Sequence, residues 1–237
     1  MYGYKARIGL IVPSPNVVVE PEFNAMKPDG VSVHATRVPL AAGTIEGIKK
    51  MDEGIEETAR LLVTAGVNII VLACTTGSLV KGVGWDQKLI STIERITAIP
   101  ATTTSTAVIH AFRELGISKV AVATPYSEEL NQAEKEFFEA HGVTVVNMKG
   151  LGIVQAGGLR DLPPETTYKL AYEVNTPEAD AVFISCTGLK TITVIEKLEE
   201  NLHKHVFSSN TATMWDVLKR LGIHEQINGF GKLLATI

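Results

Sequence analysis

The stretch Val71-Leu72-Ala73-Cys74-Thr75-Thr76-Gly77-Ser78 ends an apolar run that begins at Asn68 with a thiol, two threonines and a glycine. The pattern returns at Asp180-Ala181-Val182-Phe183-Ile184-Ser185, which is followed by Cys186-Thr187-Gly188. These are the only 2 cysteines of the 237 residues, and they stand 112 positions apart. A short apolar run bounded by small polar residues reads as a buried strand. Each thiol is therefore expected where a strand stops.

Working outward, similar runs predict strands at Ala6–Val12, Val31–Val38, Asn68–Ala73, Ala101–Thr103, Lys119–Ala123, Val143–Met148, Asp180–Ser185 and His205–Ser208. Helix-period segments alternate with them, near Val17–Met26, Met51–Ala65, Asp86–Ile96, Ser105–Leu115, Glu128–His141, Pro164–Asn175, Thr191–Leu202 and Thr211–Leu221. Alternation of this kind argues for parallel strands joined by crossover helices. The chain also resembles itself. Pro13 falls over Pro125 at the same offset that places Cys74 over Cys186. Two similar α/β halves follow, each with a four-stranded parallel sheet. The expected division is 1–104 plus 210–237 for one half and 105–209 for the other. Ligands of open α/β sheets bind beyond the carboxyl ends of the strands, so both thiols should converge on a cleft between the halves.

Composition narrows the class. Apolar residues make up 45% and charged residues 20% of the chain, as in ordinary globular proteins. A net charge of −4 gives no reason to expect nucleic acid. No run approaches the ~20 apolar residues of a membrane span, and the apolar run in MYGYKARIGLIVPSPN is too short for a secretory leader. A cytoplasmic protein with reduced thiols is expected. Walker and G-x-G-x-x-G phosphate loops are absent, which disfavours a nucleotide cofactor. The His203-Lys204-His205 pair reads as solvated rather than metal-binding.

The cysteine turns offer free backbone N–H groups and hydroxyls, which suit an anion and would lower a thiol pKa from its free value of about 8.5. The bland alternative is that both cysteines are small buried hydrophobes; their equivalent places in a repeat favour the functional reading. Other strand ends should line the same cleft. Ser14 and Asn16 follow the first strand, Asn16 serving as ligand or as helix cap. Tyr126 follows the fifth, with Ser127 as a helix cap. Ser209 and Asn210 follow the eighth. The segment Gln155–Glu165 is a glycine-rich loop, either a cover over the cleft or a plain turn. The acidic helix LNQAEKEFFEA reads as an amphipathic solvent face.

The segments PSPN, ACTTGS, TPYS, SCTG and SSN together resemble the aspartate/glutamate racemase superfamily, in particular its branch of maleate cis-trans isomerases and arylmalonate decarboxylases. The resemblance implies two pseudo-symmetric, Rossmann-like halves, no cofactor, no metal, a small carboxylate or dicarboxylate substrate, and compatibility with a homo-oligomer. It implies Cys74 as nucleophile and Cys186 as acid and base, with Asn16, Ser14, Thr75, Thr76, Tyr126, Thr187, Gly188 and Asn210 holding substrate. Decarboxylases of the branch resemble this chain through Thr75, Thr76, Tyr126 and Cys186-Thr187-Gly188, but typically carry glycine where Cys74 stands. Maleate isomerases carry both cysteines and an asparagine in the later loop, where this chain has VQAGGLRD. The expectation is a maleate isomerase-like enzyme. Its alternatives are a malonate decarboxylase using Cys186 as proton donor, an amino-acid or hydantoin racemase, and a non-catalytic small-acid binder.

Overall fold

Eight strands form two sheets of identical layout in the computed structural model, which describes residues 2–237. The first holds β1 (Ala6–Pro13), β2 (Val31–Val38), β3 (Ile69–Leu72) and β4 (Ala101–Thr103) in the order β2-β1-β3-β4. The second holds β5 (Lys119–Thr124), β6 (Thr144–Gly150), β7 (Ala181–Ile184) and β8 (His205–Ser208) in the order β6-β5-β7-β8. Every pairing is parallel. Parallel sheets are covered by helices on both faces, so their inner strands carry continuous apolar runs. Accordingly β3 and β7 are buried at every position.

The helices are α1 (Val19–Met26), α2 (Ile45–Met51), α3 (Ile55–Thr64), α4 (Thr75–Leu79), α5 (Trp85–Thr97), α6 (Thr104–Glu114), α7 (Glu128–Ala140), α8 (Pro164–Val174), α9 (Ile195–Leu202) and α10 (Ser209–Arg220). The α6 and α10 starts are fixed by hydroxyl caps at the strand ends. Thr103 accepts from the Thr106 N–H, and Ser208 forms a reciprocal capping box with Thr211. Pro164 opens α8, where a missing N–H is harmless.

One apolar cluster runs through both sheets. Phe112 of α6 meets Phe138, Phe183 and Phe207 edge-on, with centroids 5.2, 5.8 and 5.5 Å away. Burying a side chain of that size contributes about 1.5–3 kcal/mol, and edge-on rings add to it.

In each sheet the chain leaves its first strand (β1, β5) to one side and returns on the other (β3, β7). The crevice between those two strands at their carboxyl ends is the point where an α/β sheet admits a ligand. Each sheet has one such crevice, and a cysteine turn borders each. Among the described residues, no helix is long and apolar enough to cross a membrane.

Candidate active site

The turns after β1, β3, β5 and β7 enclose a cavity of about 100 Å³. It is lined by Asn16, Cys74, Thr75, Thr76, Tyr126, Cys186, Thr187 and Gly188, with Leu40, Ile48, Ile153 and Leu159 among the apolar walls. No charged side chain lines it. A larger hollow of about 470 Å³ beside Glu199 and His203 contains neither cysteine.

Cys74 caps α4: its Sγ accepts from the Gly77 N–H at 3.3 Å and lies 3.9 Å from the Thr76 hydroxyl. The Thr75 and Thr76 N–H groups begin the helix and so have no intrahelical acceptor. Cys186 has φ 93°, a left-handed conformation that costs a non-glycine residue about 1–3 kcal/mol. The Gly188 N–H donates to its Sγ at 3.3 Å. A Cβ on Gly188 would lie 3.5 Å from that sulfur and 3.0 Å from the Leu159 side chain, so any larger residue narrows this wall.

Hydroxyls tie the two cysteine turns together. Ser209 bonds Thr75 at 2.9 Å and accepts from the Cys186 N–H at 3.0 Å. Asn16 both caps and crosses. Its Oδ1 accepts from the Val18 and Val19 N–H groups, while its Nδ2 donates to Thr187 Oγ1 at 3.0 Å. The glycine-rich loop reaches the cavity through Gln155, Ala156, Gly157 and Leu159. A bridge between Ala42 and Gln155 meets it from the first sheet's side.

Two expected ligands lie elsewhere. Ser14 is exposed, and its hydroxyl accepts from the Leu40 N–H, pinning the loop after β2. Asn210 is fully buried below the cavity, donating to Glu22 Oε2 at 2.6 Å and to the Thr187 carbonyl. Ser127 occupies the position before α7 without its side chain capping it.

The thiols also depart from the expected ionisation. Burial pushes Cys74 up to about 11, against the pull of the Gly77 N–H and the Thr76 hydroxyl. Burial likewise pushes Cys186 up to about 12, with Gly188 and Tyr126 pulling it down. Donors near a sulfur lower its pKa only if they outweigh desolvation; here an uncharged pocket tips the balance toward the neutral thiols.

Sequence reasoning missed two buried carboxylates. Glu22 of α1 accepts from Thr191, Ile192 and Asn210, clamping the first half's helix to the β7 and β8 side. Glu134 of α7 is wholly buried, with its Oε1 2.6 Å from the Ser185 hydroxyl oxygen. The signal was available. Glu134 stands four residues after Leu130 and three and four before Phe137 and Phe138, which places it on the helix's buried stripe.

With two thiols from equivalent turns in one uncharged cavity, comparison with known proteins becomes informative. The model of the family described as arylmalonate decarboxylase matches residues 8–234. The chain belongs to the arylmalonate decarboxylase family. The arylmalonate decarboxylase of Bordetella bronchiseptica is 30% identical over 95% of either chain. The maleate isomerase of Geobacillus stearothermophilus is 28% identical over 97% of either chain. A cysteine-to-serine variant of the Nocardia farcinica maleate cis-trans isomerase, solved with a covalently bound succinylcysteine intermediate, superposes with a TM-score of 0.93 at 25% identity. That match covers 98% of this chain and 99% of the isomerase. The chain is thus similar, over nearly its whole length, to relatives named for both chemistries.

Proposed function

We propose that the chain is a cofactor-independent cis-trans isomerase of a small unsaturated dicarboxylate such as maleate. The observation that carries this reading is the placement of two thiols, from equivalent turns of the two halves, on one small cavity that no charged side chain lines. A volume near 100 Å³ is well under the ~300 Å³ at which pockets for drug-sized ligands begin, which suits a compact acid. With no cation in the wall, carboxylates would be held by N–H and O–H dipoles: the first amides of α4, Asn16 and Tyr126. Such preorganised donors act strongly where water is excluded.

The chemistry balances with two sulfurs. Cys74, as thiolate, adds to one alkene carbon, forming a carbon–sulfur bond while the π pair moves to the neighbouring carbon. Cys186 delivers its proton to that carbon, giving a succinyl thioether with a single carbon–carbon bond that can rotate. The Cys186 thiolate then removes the proton, the alkene re-forms and Cys74 leaves. Burial favours the protonated form of both thiols, so the Cys74 proton passes to a carboxylate of the bound substrate as the sulfur adds, and returns to the sulfur when the alkene re-forms.

A second reading, decarboxylation of a substituted malonate, is favoured by the apolar wall of Leu40, Ile48, Ile153 and Leu159. In that case Cys186 protonates the carbanion left after carbon dioxide departs. Proton NMR in heavy water with maleate and a phenyl-substituted malonate separates the two. The isomerase converts maleate to fumarate and leaves the malonate intact; carbon dioxide loss without isomerisation would replace the first reading with the second. Binding without any change would point to a small-acid binding protein.

A further inference from the structure

Behind Tyr126 and Cys186 lies a buried line of three oxygen groups. Glu134 Oε1 is 2.6 Å from Ser185 Oγ, and Ser185 Oγ is 3.4 Å from Tyr126 Oη. Glu134 and Ser185 are fully buried, and Glu134 Oε2 has no hydrogen-bond partner. An unpartnered oxygen in such a place is tolerable on a neutral carboxyl and very costly on an anion. Each hydroxyl has a single proton to give, so the charge on Glu134 decides which way the line runs. An ionised Glu134 takes the Ser185 proton, leaving Ser185 to accept and drawing the Tyr126 proton away from the cavity. A protonated Glu134 donates to Ser185, Ser185 donates to Tyr126, and the Tyr126 proton is free to point into the cavity.

We propose that Glu134 is a positioning residue that, held neutral, keeps the Tyr126 hydroxyl aimed at Cys186 and at a bound carboxylate. The proposal rests on reading this cavity as the active site, and it concerns a group that touches neither substrate nor sulfur.

The surroundings agree. Burial pushes Glu134 up to about 8, opposed only by the Ser185 bond. No cation on the packed elements acts on it: Lys149 of β6 pairs with Glu173, Lys81 beyond α4 pairs with Asp52, and Lys119 is exposed at the start of β5. On α7 itself Glu128, Glu129, Glu136 and Glu139 are exposed or half-buried at its outer face, and Lys135 pairs with Glu139. The ionisable groups on the cavity side are Tyr126, Cys186 and Cys74, and each acquires negative charge on deprotonation. Any thiolate formed there reinforces the neutral state of Glu134.

The test needs no substrate, so it decides the matter even for a chain that ignores maleate. Infrared spectra should show a protonated carboxyl band at neutral pH that fades through about pH 8 and is missing from Glu134→Gln. In a Cys74→Ser background the remaining thiol is Cys186, whose iodoacetamide alkylation reports its thiolate fraction. At about pH 9, Glu134→Gln should raise that rate about tenfold, one pKa unit's worth. Adding Tyr126→Phe should remove most of the gain, because the gain travels through the hydroxyl. Should Glu134→Gln fold poorly, Ser185→Ala cuts the same line at its middle, and the Cys186 rate should then rise with pH as a single titration, without a break near pH 8. The proposal is overturned if no carboxyl band is lost with Glu134, if the alkylation rates are equal, or if the gain survives Tyr126→Phe undiminished. That last result would mean the carboxylate acts on the sulfur by charge alone.

Discussion

Thr187 Oγ1 donates to the carbonyl of Ala73 at 3.1 Å. The residue just after one cysteine thereby holds the residue just before the other. Since Asn16 Nδ2 donates to the same hydroxyl, one buried oxygen links the ends of β1, β3 and β7. The single Thr187 proton is committed to this joint, so its hydroxyl sets the spacing of the two thiols.

Replacing Thr187 with valine keeps the shape and removes both bonds, leaving the Ala73 carbonyl and the Asn16 amide without their partner. Loss of a buried partner costs about 1–3 kcal/mol. The variant should fold with a lowered urea midpoint, and its kcat should fall more than its KM rises. An unchanged midpoint together with unchanged kcat would show that the joint does not set the thiol spacing.

The cysteines should separate by role. Cys74→Ser should lower maleate turnover by at least about a thousandfold, because a hydroxyl without a strong base is a poor nucleophile toward an alkene. Cys186→Ser should leave slow turnover and accumulate a covalent adduct on Cys74, visible in the intact mass as the addition of one maleic acid. If the chain is instead a decarboxylase, the sensitivity inverts and Cys74→Gly retains carbon dioxide release. Equal, small effects at both positions would exclude both schemes.

Gly188 offers a gentler probe. Its added Cβ would meet Leu159 at 3.0 Å and the Cys186 sulfur at 3.5 Å, so Gly188→Ala narrows the cavity without disturbing a strand. The expected result is a drop of about tenfold in kcat/KM with an unaltered circular dichroism spectrum. Full activity would show that substrate does not use that wall.

All eight strands are legible in the sequence because apolar β-branched runs bounded by polar residues have few other readings. Short helices are not. Thr75–Leu79 has five residues, too few to display a 3.6-residue period, and Ile45–Met51 is set off from α3 by the 3-10 turn Asp52–Gly54. The ninth helix begins at Ile195 rather than Thr191, because the Thr191 backbone N–H and hydroxyl are spent on Glu22. For the site, residue type and strand position bring Cys74, Cys186, Tyr126 and Asn16 to one cavity. They could not show that Asn210 turns away to a carboxylate from α1, a contact 188 positions distant. The thiol pKa escapes the sequence for the same reason: donors are visible in a motif, whereas desolvation belongs to the assembled pocket.

Alkylation of the ligand-free protein against pH checks that point. Both thiols should react slowly at neutral pH, and their rates should still be climbing above the free-cysteine value of about 8.5, toward midpoints near 11 for Cys74 and 12 for Cys186. A step below 8.5 at either cysteine would mean that a donor outweighs burial.

Glu134 makes the stability of the fold depend on pH with a sign opposite to that of a salt-bridged carboxylate. Its folded value of about 8 stands above the reference 4.5, so between these limits the folded state holds a proton that the unfolded chain has released. Stability then falls as pH rises across that window and levels off above it, where both states are ionised. Glu22, Asp52 and Glu199 are raised by burial and act in the same sense, while Asp216 and Asp180 are lowered and oppose it. The difference between wild type and Glu134→Gln cancels these shared contributions. Urea midpoints at about pH 5 and about pH 8.5 should show the wild type losing more stability than the variant over that interval. At pH 5 the two should be similar, since a neutral carboxyl and an amide fill the same space; at pH 8.5 the variant should be the more stable. A wild-type midpoint that holds or climbs relative to the variant would mean that Glu134 is already ionised at neutral pH, and that the orphaned Oε2 carries charge.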